Sequence, residues 1–248
     1  MSEESFAEKL ENVRARVKAA CDRAHRSMDE VEIIGVTKTF GPDAVRDAWE
    51  AGIRTMGENR VQEAAAKIPE CVSGPDWHLI GHLQKNKVRH ALELFSCIHS
   101  VDTLPLLEQI ARVADETGAH PRLLLEVNVS GESSKFGLRP ENVPAVIERA
   151  LAAPSVTLEG FMTMAPIAPD KELARPVFAR LRACRDKWEE QFGATFPRLS
   201  MGMSGDFEVA VEEGATWVRI GTALFGDRPK WQPRRLADDA GDQVFVRD

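Results

Sequence analysis

Eight short apolar segments, with stretches of helical periodicity between them, are the feature that most limits what this chain can fold into. The segments are Glu32–Lys38, Ile53–Gly57, Trp77–Gly81, Cys97–Val101, Leu123–Val129, Leu158–Thr163, Leu199–Met203 and Trp217–Gly221. They have the length of buried strands and are too short for helices. Helical patterns separate them: Asp43–Glu50, Arg60–Ile68, Gln84–Leu94, Leu104–Glu116, Val143–Leu151, Leu173–Trp188 and Phe207–Glu213. Strands that alternate with helices pair in parallel, because a parallel neighbour is reached only through a crossover. Eight such units in 248 residues predict an α/β fold, a single (β/α)8 TIM barrel, whose usual length is about 250 residues. An open doubly wound sheet with a dinucleotide site would carry G-x-G-x-x-G after its first strand. That turn here reads Val36-Thr37-Lys38-Thr39-Phe40-Gly41.

An extra N-terminal helix precedes the barrel. Phe6, Leu10, Val13, Val17 and Cys21 recur at steps of three or four and share one face, and Ser5 with Glu8 forms a capping box. Pro176 sits inside the sixth helical pattern, so that helix either kinks there or begins near Arg175. Residues 1–228 are expected to form the barrel domain. Residues 229–248 lack a clear period and read as a surface tail, a candidate for disorder.

Composition narrows the partners. Thirty-two basic against 39 acidic residues give a formal charge of −7, which argues against coating nucleic acid or an anionic membrane. No apolar stretch approaches the roughly 18–20 residues of a membrane span. Met1-Ser2-Glu3-Glu4-Ser5 lacks the basic-then-apolar pattern of a signal peptide. Cys21, Cys71, Cys97 and Cys184 are scattered without zinc or redox spacing, as expected for free thiols in a reducing cytoplasm.

In a barrel, working residues lie where the strands end. The first strand ends in Lys38. A lysine at a barrel mouth is partly desolvated, which lowers its pKa and frees the amine to attack carbonyls; snorkelling to water is the plain alternative. The second ends in Gly57-Glu58-Asn59, where Asn59 either caps the next helix or touches a ligand. The third carries His78 and His82. No third ligand is spaced to complete a metal site, and His82 is a pocket candidate or a structural histidine. Met201-Gly202-Met203-Ser204-Gly205-Asp206 and Arg219-Ile220-Gly221-Thr222 close the seventh and eighth strands. Small residues and hydroxyls in those two places suit a phosphate. Arg219 shares a face with Trp217 and Gly221 by period-two alternation. Inside a barrel it needs acceptors, either a carboxylate or a ligand atom at the mouth. A lysine, a phosphate cradle and an interior arginine together fit a phosphorylated aldehyde, of which pyridoxal 5′-phosphate is the obvious case.

The same residues carry a family resemblance. Ile34–Lys38, Gly57–Glu63, Trp77–Lys87, Val127–Val129 through Lys135-Phe136-Gly137, Gly160–Met164, Met201–Asp206 and Arg219–Gly226 resemble, in order, the pyridoxal-phosphate homeostasis proteins. These are similar to the N-terminal barrel of alanine racemase standing alone. The resemblance implies that Lys38 forms the internal aldimine, that Ser204, Gly221 and Thr222 contact the phosphate, that Arg219 faces the pyridine nitrogen, and that Asn59 and His82 line the pocket. It implies a protein without an established reaction, which sequesters and buffers pyridoxal phosphate in intracellular vitamin B6 homeostasis and passes it to apo-enzymes. A cytoplasmic monomer is the expectation. Arg60 departs from the family, whose members often carry tyrosine there, and a surface change is expected.

The competing class is a racemase of the same fold. In alanine racemase the second base looks to be a tyrosine from the partner subunit, and this chain has no tyrosine. The barrel also uses nearly all the length, leaving no room for a C-terminal β domain. A third class, a Schiff-base aldolase using Lys38 without the cofactor, would be colourless.

Overall fold

Eight parallel strands close into one barrel in a computed structural model that describes residues 4–131, 136–166 and 168–226. They are β1 (Glu32–Val36), β2 (Thr55–Glu58), β3 (Asp76–Leu79), β4 (Cys97–Val101), β5 (Arg122–Glu126), β6 (Thr157–Met162), β7 (Arg198–Met203) and β8 (Trp217–Ile220). Each pairs with the next, and β8 returns to β1 with Ile34 opposite Arg219. Around them lie α1 (Phe6–Arg23), α2 (Pro42–Glu50), α3 (Val61–Lys67), α4 (Val88–Leu94), α5 (Leu104–Thr117), α6 (Val143–Leu151), α7 (Arg175–Phe192), α8 (Phe207–Glu212) and α9 (Thr222–Phe225).

Local chemistry sets these boundaries. The capping box at Ser5 and Glu8 forms as expected. Pro176 does not kink α7, because the helix begins at Arg175 and places the proline in its first turn, where a missing N–H costs nothing. Gly160 lets β6 press against β7, since a Cβ there would lie 1.8 Å from the Arg198 carbonyl oxygen.

The apolar core divides in two. The larger part fills the space between barrel and helices, and α1 joins it through Leu10, Val13, Val17, Ala20 and Cys21. The smaller part is the barrel interior: Ile34, Cys97, Leu124, Met162 and Trp217. Trp217 and Arg219 share that interior face, as the alternation predicts. All four cysteines are free, and among the described residues no helix is long and apolar enough to cross a membrane. The tail expected at 229–248 lies outside the described residues.

Candidate functional site

The strand ends and the loops after them enclose a cavity of about 490 Å³, within the range usual for small-molecule sites. All seven residues singled out from the sequence line it: Lys38, Asn59, His82, Ser204, Arg219, Gly221 and Thr222.

Lys38 follows β1 and is held from below by a buried ionic cluster. Thr37 Oγ1 donates to Glu58 Oε1 at 2.6 Å. Lys67 Nζ donates to the Thr37 carbonyl and to Glu58 at 2.8 Å each, and to Glu63 at 3.1 Å. Lys67 and Glu58 are fully buried. Burial pushes the Glu58 carboxyl up, against the pull of the Lys67 ammonium. Beyond Lys38, the Thr39 backbone N–H donates to Glu63, and Thr39 holds φ at +67°. A β-branched residue in the left-handed region marks a strained turn, so the cluster pins the lysine's turn on both sides.

Asn59 does not cap α3. Arg60 takes the cap position without a side-chain hydrogen bond, and is exposed as expected. Asn59 turns instead into the cavity, and its backbone explains the neighbouring glycine: a Cβ on Gly81 would meet the Asn59 carbonyl oxygen at 2.3 Å. His82 pairs with buried Asp102 at 3.1 Å and stacks on Phe136 at 4.3 Å between ring centres. His78 belongs elsewhere, inside the barrel against His99, so the two histidines that a metal pair would need are committed to different neighbours.

Ser204 Oγ accepts from the backbone N–H groups of Gly221, at 3.3 Å, and Ala223, at 3.2 Å. Two amides therefore converge on one oxygen at the wall where the sequence suggests a phosphate. Arg219 is buried. It donates to the Ser200 carbonyl and hydroxyl at 2.7 Å each and to the Thr163 carbonyl at 3.0 Å. Its acceptors are therefore oxygens of strand and loop, and no carboxylate bridges to it among the described residues. Burial lowers its pKa to about 10, opposed by the charges of Asp206 and Glu126.

Sequence reasoning missed the cavity's carboxyl groups. Glu126 ends β5 and lines the floor. Burial first, and the nearby Asp102 charge second, raise its pKa to about 7, although Arg219 pulls the other way. Asp206 accepts from the Met203 backbone N–H at 2.6 Å and is also raised by burial. The signal for Glu126 was present: a charged residue straight after Leu123-Leu124-Leu125, the same pattern that identified Lys38.

Comparison with known proteins follows the same geometry. The model of the alanine racemase N-terminal domain matches residues 9–229. The pyridoxal phosphate homeostasis protein of Aquifex aeolicus is 43% identical over 223 residues, covering 89% of this chain and 97% of the relative. That of Pseudomonas aeruginosa is 40% identical over 230 residues, covering 92% and 98%. Among solved structures, PipY of Synechococcus elongatus with PLP bound superimposes with a TM-score of 0.80 at 37% identity, covering 90% of this chain and all of that one. An alanine racemase of Clostridium difficile gives a TM-score of 0.70 at 16% identity, a likeness of fold, with 58% of the racemase covered. The chain belongs to the pyridoxal phosphate homeostasis family, within the broader family of alanine racemase N-terminal domains.

Proposed function

We infer that the protein binds pyridoxal 5′-phosphate in the barrel-mouth cavity and holds this reactive aldehyde in reserve for vitamin B6 homeostasis, releasing it to apo-enzymes. The observation that carries this reading is that Lys38, Ser204, Arg219, Gly221 and Thr222 line one cavity. The relatives' names and the PLP-bound PipY structure support it.

The cofactor supplies an aldehyde carbon that is electrophilic toward amines. Lys38 supplies the amine, on a turn that the Glu58–Lys67–Glu63 cluster fixes. Ser204, Gly221 and Thr222 would hold the phosphate: the Gly221 and Ala223 amides occupy the Ser204 lone pairs and leave its proton to donate, and Gly221 and Thr222 line the same wall. Arg219 would donate to the ring nitrogen, from a guanidinium already anchored by Ser200 and Thr163. Asn59 and His82 wall the ring. The absence of tyrosine removes the second base that a racemase of this kind would use, so storage rather than turnover is the reading. The protein acts as a cytoplasmic monomer on this view.

The test is spectral. Purified protein loaded with pyridoxal phosphate absorbs visible light, borohydride bleaches it, and peptide mapping places the pyridoxyl label on Lys38. Lys38→Ala loses the band and keeps its far-ultraviolet dichroism. A label on another lysine overturns the site. Alanine racemisation at the roughly 1–10³ s⁻¹ of ordinary enzymes overturns the storage role.

A further inference from the structure

Inside the barrel, beneath the cavity, four hydrogen bonds run end to end. Arg219 Nη1 donates to Ser200 Oγ at 2.7 Å. Ser200 Oγ lies 2.9 Å from His99 Nδ1. His99 Nε2 lies 3.0 Å from His78 Nδ1, and His78 Nε2 lies 3.1 Å from Asp76 Oδ2. The file starts at the cavity and ends at the first residue of β3, where the Asp76 side chain is 38% exposed. Its middle is dry: His78 is 1% exposed, and His99 and Ser200 are fully buried. Trp217 stacks on His99 with ring centres 5.0 Å apart and an interplanar angle of 17°.

Satisfying every group sets the direction of the protons. An arginine cannot accept, so Ser200 receives from Arg219 and gives its own proton to His99 Nδ1. His99 then carries its proton on Nε2 and donates to His78 Nδ1. His78 carries its proton on Nε2 and donates to Asp76. Arg122 Nη2 lies 3.0 Å from His78 Nε2, but it has two hydrogens and three neighbours, and the oxygens of Asp76 and Ser96 take them. All four donors therefore point from the cavity toward the carboxylate.

We propose that Asp76, His78, His99 and Ser200 are positioning residues that orient Arg219 toward the ring nitrogen of the ligand. This rests on the reading that the cavity holds pyridoxal phosphate. Each bond in a one-way file strengthens the next. The carboxylate at the far end makes His78, His99 and Ser200 progressively better acceptors, and the last of them fixes the guanidinium. Full burial is the main cause that keeps His99 neutral, with its pKa well below the ordinary imidazole value. Asp76 stays ionised. Burial alone would raise it, but hydrogen bonds from His78 and Ser96 and the Arg122 charge outweigh that and hold it well below the usual carboxylate range. The ligand-capable atoms of His78, Cys97 and His99 also lie within 4.8 Å of one another. A cation there would have to take both histidine nitrogens that the file already uses, beside the Arg122 guanidinium.

Two measurements test this. Selective ¹⁵N-histidine NMR of the ligand-free protein is expected to show His78 and His99 as neutral Nε2–H tautomers. An Nδ1–H tautomer, an imidazolium at His99, or stoichiometric zinc in the purified protein that His99→Phe removes would overturn the file. The second reading uses protein loaded with ring-¹⁵N pyridoxal phosphate. Asp76→Asn, made at the half-exposed end to preserve packing, is expected to shift the ring-nitrogen resonance and weaken binding about 3- to 10-fold, the equivalent of one ordinary hydrogen bond. His99→Phe shifts it further. Unchanged resonance and affinity in a variant that binds overturns the proposal. Failure of the wild-type protein to bind the ligand overturns the functional reading instead, and leaves the tautomers to decide the file.

Discussion

Glu126 shows what single residues in this barrel are asked to tolerate. It sits on the cavity floor with its pKa raised to about 7 from an ordinary 4.5. A carboxyl raised on folding contributes stability that is fully present below its unfolded pKa and lost as pH rises through the folded value. Glu126→Gln should therefore stabilise the ligand-free protein above pH 7, by on the order of 2–3 kcal/mol, and the gain should vanish toward pH 4. Thermal melts of both proteins across that window check the sign. At the opposite wall, both lone pairs of the Ser204 hydroxyl accept from backbone amides, which leaves its proton to be donated. Ser204→Ala combined with Thr222→Ala is expected to weaken pyridoxal phosphate by roughly two to four powers of ten, since each bond to a charged group is worth about 1.5–3 kcal/mol. Pyridoxal, which lacks the phosphate, should lose far less in the same titration.

At the scale of elements, the fixing of β1 and β2 onto α3 is the costly part of the site. Lys67 is fully buried among Glu58, Glu63 and the Thr37 carbonyl. Lys67→Met strands a buried Glu58 and should destabilise the protein by about 3–5 kcal/mol, while Lys67→Met with Glu58→Leu recovers much of that loss. Urea unfolding of the single and double variants measures it. Strand and helix order was legible because period-two and 3.6-residue patterns are local, and the placement of Lys38, Ser204 and Arg219 on the cavity was legible because strand-end positions in a barrel are few. The interior file was not. His78, His99 and Ser200 come from three strands, and only the barrel's closure brings them within bonding distance. Lys67 was equally hidden, because a lysine in a helical pattern looks like solvent-facing charge until its partners arrive from elsewhere. The Asn59 cap failed for a related reason: the tight passage of Gly81 against its carbonyl fixes that backbone, and α3 starts one residue later.

Across the whole molecule, the N-terminal helix closes the outer layer where α8 and α9 are short. Arg16 reaches Glu208, and Arg23 and Arg175 share Glu212. Arg26 donates to the carbonyls of Val211 and Ala215 at 2.6 and 2.9 Å. These ion pairs are partly exposed and individually modest. Glu212→Gln is expected to lower the melting temperature by about 2–4 °C, a loss near 1 kcal/mol for a chain of this size, and the difference should shrink in high salt. The apolar contact beside them reaches further. The Phe225 ring lies 5.2 Å from that of Phe6 and 5.3 Å from that of Phe40, in the turn just after Lys38. The opening helix and the closing turn of the barrel are thus neighbours in space. Joining residue 226 to residue 5 through a short linker and cutting the chain open at Gly118, which no neighbouring atom crowds, should return the same barrel from a permuted gene.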